Sequence, residues 1–285
     1  MRKGKAAALA AALLLCLLAA LLAFRAEPAF EDLEGHGAVV LPVIMYHSIL
    51  KDPSRQGPYV LSPSQLEKDL QYLQEKGYES VSVAQLLDYV HDPFATLPEK
   101  PVLLTFDDGF YNNYVYAFPL LEQYDMKAVV SIIGLHSDGV TGLEPLNPTF
   151  DHLGWAQMEE MLDSGRVELG NHSYNLHTID AKRIASTRRR GESLENYKEV
   201  FCQDARKTQA LFEEHLGWTT PIYAYPYGLI SAESLDFLEE MGYSVSFSCA
   251  EGLNTLSKGQ SLQLLKRYNR PSGIGSERFF SQILP

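Results

Sequence analysis

Apolar residues fill the chain without interruption from 6 to 24, and after a short acidic stretch at 26–37 they recur in two alternating rhythms. Runs of strand length, at 39–46, 80–83, 101–106, 127–133, 167–169, 221–224, 244–247 and 262–268, are rich in aliphatic, β-branched and aromatic residues. Between them lie stretches with helical spacing. At 64–76, Leu66, Leu70 and Leu73 share one face before Gly77 stops the helix. Residues 84–90, 155–164, 192–216 and 232–241 also read as helices, with Gly165 and Gly217 closing two of them. Residues 114–124 read as helix kinked or broken at Pro119. This alternation predicts an α/β fold, a parallel sheet covered by helices.

The first apolar run stands apart. Its nineteen residues would span roughly 28 Å as a helix, close to the hydrocarbon thickness of a bilayer. Arg2, Lys3 and Lys5 precede it, and no small-x-small pair directly follows, since Phe24-Arg25-Ala26 fails at Phe24. That favours an uncleaved anchor over a cleaved signal, with the basic end in the cytoplasm and the body exported. Cys16 does not read as a lipoprotein cysteine, because Leu15 before it is too large. The expected organisation is a membrane anchor or signal segment at 1–26, a linker at 27–38 and one domain at 39–285. The protein is expected outside the cytoplasm, tethered to the membrane, or secreted if the segment is cut.

Charge narrows the partners. The 285-residue chain has a formal net charge of −12. Arg2, Lys3, Lys5 and Arg25 precede the first acidic residue, so the remainder carries 20 basic against 36 acidic side chains, about −16. Such a body argues against nucleic-acid binding, which needs a positive face, and is otherwise explained by solubility. Cys202 and Cys249 are expected buried and free rather than paired.

Two segments carry candidate chemistry. Thr105-Phe106-Asp107-Asp108-Gly109 follows the apolar Val102-Leu103-Leu104, so two carboxylates fall where a buried strand opens into a loop. Neighbouring side chains on an extended segment point to opposite sides, which lets one carboxylate face a metal and frees the other as a base. The second segment, His172-Ser173-Tyr174-Asn175-Leu176-His177, adds two imidazoles after another strand-like run. Alone, Asp-Asp-Gly is an ordinary turn and two histidines five apart prove little. Together they make a three-ligand set with an open position for water, as a catalytic metal requires.

These segments resemble the polysaccharide deacetylases of the NodB-homology type, carbohydrate esterase family 4. The resemblance runs from about residue 39 to the C-terminus, through Met45-Tyr46-His47-Ser48, Thr105–Phe110, Trp155, Ser164-Gly165, Gly170–Ser173, His177 and Tyr225-Pro226-Tyr227-Gly228. The Met-Tyr-His-Ser opening and the histidine spacing look most like the poly-N-acetylglucosamine deacetylase branch. The resemblance implies a distorted (β/α) barrel of about seven strands. It implies Asp107 as base and Asp108, His172 and His177 as ligands of a divalent ion, zinc first, with cobalt, nickel, manganese or iron(II) as alternatives. It also implies the 225–228 turn as a wall of the substrate groove, with the Tyr227 N–H as an oxyanion partner.

Two departures follow. Many relatives carry an arginine at the Ala224 position that steadies the base, so the partner of Asp107 is left unassigned. Relatives often draw the general acid from a histidine on the last strand, but this chain has none beyond His215, which falls in a helix. His47 is then the candidate acid, against the plainer reading that it bonds loop backbone. His36, His91, His136 and His152 read as surface or loop residues, with His152 near enough to Trp155 to line a groove. The expected function is removal of N-acetyl groups from an N-acetylglucosamine polymer, in peptidoglycan or an exopolysaccharide, by a monomer. The alternatives are a carbohydrate-binding pseudoenzyme and an O-acetyl esterase of xylan type.

Overall fold

The structure, a computed structural model, describes residues 38–180 and 183–285. The expected membrane segment at 1–26 with its Cys16, and the linker as far as residue 37 with His36, lie outside the described residues. Among the described residues no helix is long and apolar enough to cross a membrane. Residues 39–285 form one compact unit.

The strands are β1 (Val39–Leu41), β2 (Val43–Tyr46), β3 (Ser48–Ile49), β4 (Val60–Leu61), β5 (Glu79–Ser80), β6 (Pro101–Phe106) and β7 (Ala128–Ile132), then β8 (Val167–Asn171), β9 (Ile222–Ala224), β10 (Val245–Phe247), β11 (Asn254–Leu256), β12 (Leu262–Leu265) and β13 (Tyr268–Asn269). Eight of them form one sheet in the order β12-β10-β9-β8-β7-β6-β2-β13, and every neighbouring pair is parallel. β5 pairs with β6 off this path. The sheet curls, and its two edge strands are consecutive in sequence, joined by Lys266 and Arg267 alone. Eight strands stand where about seven were expected. The run 262–268 is two strands, broken at Lys266 and Arg267, and within the first of them Leu264, with φ 59°, marks a shift of register against β10.

Helices cover the outer face, except that Val83–His91 packs Val83, Leu86, Tyr89 and Val90 against the interior cluster, and their ends follow local rules. Ser62 accepts from the Gln65 N–H at the start of Pro63–Glu75, and Leu66, Leu70 and Leu73 are buried as their spacing requires. Ser82 and Gln85 form a capping box on Val83–His91, and the Glu168 carboxylate on β8 accepts from Val83 N and Ala84 N at that helix start. The expected strand at 80–83 therefore ends at Ser80. Leu194–Leu216 begins at Ser193 and ends at Gly217 with φ 58°. The expected helix at 114–124 is a π-turn, Asn113–Ala117, followed by Phe118–Gln123. Pro119 sits in the first turn of the second segment, where its missing N–H costs nothing.

Strand alternation sorts the core. Val43, Leu103, Val129, Ile222, Val245 and Leu262 meet in the interior, together with Leu41 and Leu256 of the antiparallel pair β1–β11. Ile44, Leu104 and Val130 face outward, against Leu66, Leu70, Phe118 and Met158 of the helices. Following the inward face of β2 and β6 toward their C-terminal ends leads from Val43 to Met45 and His47, and from Leu103 to Thr105 and Asp107. The interior thus passes from apolar to polar at one mouth.

Candidate active site

At that mouth a cavity of about 430 Å³ is lined by His47, Asp107, Asp108, His172, His177, Tyr227 and neighbours that include Phe110, Tyr59 and Cys249. Four segments distant in sequence bring their polar residues here, each from the C-terminal end of a strand, where reactive groups of parallel barrels collect.

Asp107 and Asp108 diverge for a reason other than strand alternation. Asp107 continues β6 and its N–H donates to Tyr46 O at 3.0 Å, whereas Asp108 has φ 72° and leaves the strand. Both side chains line the same cavity. Gly109 also has positive φ, and a Cβ there would stand 2.7 Å from Ile132 Cγ2, so the turn admits only glycine.

Asp107 is 2 % exposed and receives two parallel bonds from Arg267, Nη1 to Oδ1 and Nη2 to Oδ2, each 2.8 Å. Arg267 is fully buried, and its Nε donates to Ser248 O at 2.9 Å. Burial alone would raise the Asp107 carboxyl, but Arg267, with His172 and His47 behind it, holds it well below the usual carboxylate range. Arg267 is therefore the partner of Asp107 left unassigned above. The clue was present: an arginine closing an apolar strand, at the same strand end as the other site residues.

The imidazoles approach from β8 and its loop. His172 Nδ1 donates to Ala224 O at 2.8 Å, which fixes the tautomer and leaves Nε2 as an acceptor. That Nε2 lies 3.6 Å from Asp108 Oδ1, and His177 Nε2 lies 3.3 Å from the same oxygen. The three ligand atoms fall within 4.8 Å of one another.

The trio fits a divalent cation on three grounds. Asp108 Oδ1 is buried without a hydrogen-bond partner. Burial and the Asp107 charge push the Asp108 carboxyl up to about 7, while burial and His172 push His177 down to about 4. A carboxylate and two neutral imidazoles facing one point are poorly placed for one another and well placed for a positive charge. The Nδ1 bond to a carbonyl is also the usual support of a metal-binding histidine.

His47 follows β2, and its backbone is fastened by Asn113 Nδ2, which donates to His47 O at 2.8 Å. Its ring stands edge-on to Tyr59, with centroids 4.8 Å apart, and its Nδ1 is buried without a hydrogen-bond partner. Burial lowers it to about 4, against the pull of Asp107, with Arg267 and His177 adding to the fall. The resting imidazole is neutral. The plainer reading, a ring bonded to loop backbone, does not describe Nδ1.

The turn at 225–228 divides. Tyr227, with φ 55°, is 45 % exposed, lines the cavity and lies against the His177 ring at 4.3 Å. Tyr225 is fully buried with its hydroxyl 2.8 Å from Ser234 Oγ, and Pro226 is buried too, so neither presents a surface to a ligand. Gly228 backs onto Cys249, where a Cβ would meet the side chain at 2.5 Å. Of the four expected substrate contacts, only Tyr227 reaches the cavity.

Cys202 and Cys249 are both free; Cys202 is buried as expected, whereas Cys249 is exposed on the cavity wall. His152 stacks on Phe110 at 5.1 Å and lies beside His136 at 4.2 Å, without lining the cavity itself. His215 stacks on Trp155 within the helix Leu194–Leu216.

Comparison with known proteins agrees with this fold. The chain is 28% identical over 261 residues to poly-beta-1,6-N-acetyl-D-glucosamine N-deacetylase of Escherichia coli (strain K12), covering 85% of this chain but only 38% of that relative's length. It is 30% identical to YxkH of Bacillus subtilis (strain 168), covering 85% of this chain and 76% of the relative. Among solved structures, a de-N-acetylase from Aggregatibacter actinomycetemcomitans superposes with a TM-score of 0.73 at 26% identity, covering 85% of this chain and 99% of the other. A family model for polysaccharide deacetylase matches residues 95–246, from just before β6 into β10, and the chain belongs to that family.

Proposed function

We propose that this domain is a divalent-metal-dependent hydrolase that removes N-acetyl groups from an N-acetylglucosamine polymer. One observation carries the reading: a carboxylate kept ionised by a buried arginine shares a cavity with an Asp–His–His trio whose carboxylate oxygen lacks a protein partner. A cation held by Asp108, His172 and His177, zinc first among the candidates, would supply Lewis-acid polarisation of the amide carbonyl and a water of lowered pKa.

The chain's own groups do the rest. Asp107, ionised at neutral pH, accepts the proton of the attacking water. Arg267 orients that carboxylate through two bonds, so the oxygens do not rotate away between turnovers. The Tyr227 N–H serves the oxygen on which charge develops, and its half-exposed ring offers a face to a sugar. His47 begins neutral; it can take up the proton that Asp107 accepted from the water and deliver it to the departing amine. Residues 1–26 hold the domain at the outer face of the membrane, as a monomer, where such polymers lie.

The relative from Escherichia coli makes β-1,6-linked N-acetylglucosamine oligomers the first substrate to try. Acetate release from them is expected and should stop with a chelator and return with zinc. Release only from O-acetylated xylan oligomers would replace the reading with an esterase, and no release from either would leave a binding protein. His47→Ala is expected to lower turnover about 10²-fold or more while zinc content persists; unchanged turnover would remove His47 from the mechanism.

A further inference from the structure

The four residues between His172 and His177 must hold the second imidazole at the distance the first requires, and they are gripped from both sides. On one side, Gly134 N and Leu135 N, at the start of the helix Gly134–Gly139, donate to Ser173 O and Tyr174 O at 3.0 Å each. On the other, the Asp204 carboxylate in the long helix Leu194–Leu216 accepts from Tyr174 N and Asn175 N, at 2.8 Å each. Two consecutive amides of the loop thus converge on the two oxygens of one side chain.

Nothing in the proposed chemistry uses Asp204, yet it is mostly buried and neither of its loop contacts is an arginine or lysine. Lys207, one turn on, lies over the Tyr174 ring at 3.7 Å, and the Tyr174 hydroxyl donates to Asp138 Oδ2 at 2.9 Å. A carboxylate is expensive to bury, and here the two loop amides, with the Lys207 charge nearby, offset that cost. Ser173, with φ 71°, holds a backbone conformation that a β-carbon disfavours, so the loop needs outside support to keep its shape.

We infer that Asp204 is a positioning residue for the metal site, fixing the separation of His172 and His177 by holding the two amides between them. The inference rests on the Asp108–His172–His177 reading, and the experiment separates the two. Zinc affinity of the full chain is measured by chelator competition, beside melting temperature, for wild type and Asp204→Asn. The amide keeps the shape but turns one acceptor into a donor facing an N–H. Zinc affinity is expected to fall about 10–100-fold, the usual cost of losing support behind a ligand.

Phe212→Leu, a core change on the same helix, should lower the melting temperature while leaving zinc affinity unaltered. If Asp204→Asn binds zinc within twofold of wild type, the inference is overturned. It is equally overturned if Phe212→Leu weakens zinc as much at a matched loss of stability. Asp204→Ser, which relieves the donor–donor clash, carries the same readouts if the amide variant does not fold. A wild-type protein that binds no zinc, cobalt or nickel overturns both this inference and the reading beneath it.

Discussion

Arg267 and Arg270 stand three residues apart, both buried, each gripping an aspartate through two short bonds, and they do different things. Arg267 holds Asp107 at the wall of the cavity. Arg270 holds Asp69 at 2.8 and 2.9 Å between the first covering helix and β13, where Tyr46 and Gln65 complete the carboxylate's bonds at 3.3 Å. Both members of the second pair are fully buried. The chemical unit is the same in both places. Access differs: the first carboxylate has a cavity and two imidazoles before it, and the second is enclosed by protein donors.

The largest test of this contrast is Asp107→Asn against Asp69→Asn. The first is expected to lower acetate release by about 10²–10⁴-fold, the usual share of a general base. The second should leave turnover within about threefold in whatever fraction is folded. Assays paired with urea melts decide it; an equal collapse at both positions would mean that both pairs serve only the fold.

Next in size is stability. Breaking either pair by Arg267→Met or Arg270→Met strands a buried carboxylate and is expected to cost about 3–5 kcal/mol. Removing both partners, as Asp69→Leu with Arg270→Met or Asp107→Leu with Arg267→Met, should restore most of that loss. Only the Asp69–Arg270 double variant should then turn over substrate.

The smallest effect is a pH dependence. A metal ligand must be deprotonated to bind, so protons compete below its pKa. With Asp108 near 7 in the cation-free protein, zinc affinity should be level above that value and fall about tenfold per unit beneath it, steepening near 4 as His177 also takes a proton. Burial is the main cause of the Asp108 shift and the Asp107 charge the second. Asp107→Asn should therefore move the break to lower pH. Chelator competition from pH 5 to 8 reads it, and an unmoved break would show that the two carboxylates do not sense each other.

What the sequence disclosed has a physical pattern. The gathering of Asp107, Asp108, His172, His177 and His47 at one mouth was legible because each closes or follows a buried apolar run, and the ends of such runs meet there. The reason first offered for the divergence of Asp107 and Asp108 was mistaken, since a left-handed backbone at Asp108 separates them. Arg267 and Asp204 were not found. Arg267 depends on a break inside what reads as one strand, and Asp204 is an ordinary acidic residue of a charged helix until the loop it grips is placed against it. Tyr225 was misjudged because an aromatic turn residue is equally suited to a core, and a serine on the next helix supplied its hydroxyl partner.

The junction between β12 and β13 has a consequence for how the protein comes into being. Asp107 is translated 160 residues ahead of its counterion, which arrives only when the last strands join the opposite margins of the sheet. A nascent chain stalled before residue 267 can pair its central strands, yet it carries an uncompensated acid within them. Synthesis of residues 262–269 therefore both closes the curl and neutralises its interior, and premature termination there should leave a species prone to proteolysis rather than a weak enzyme.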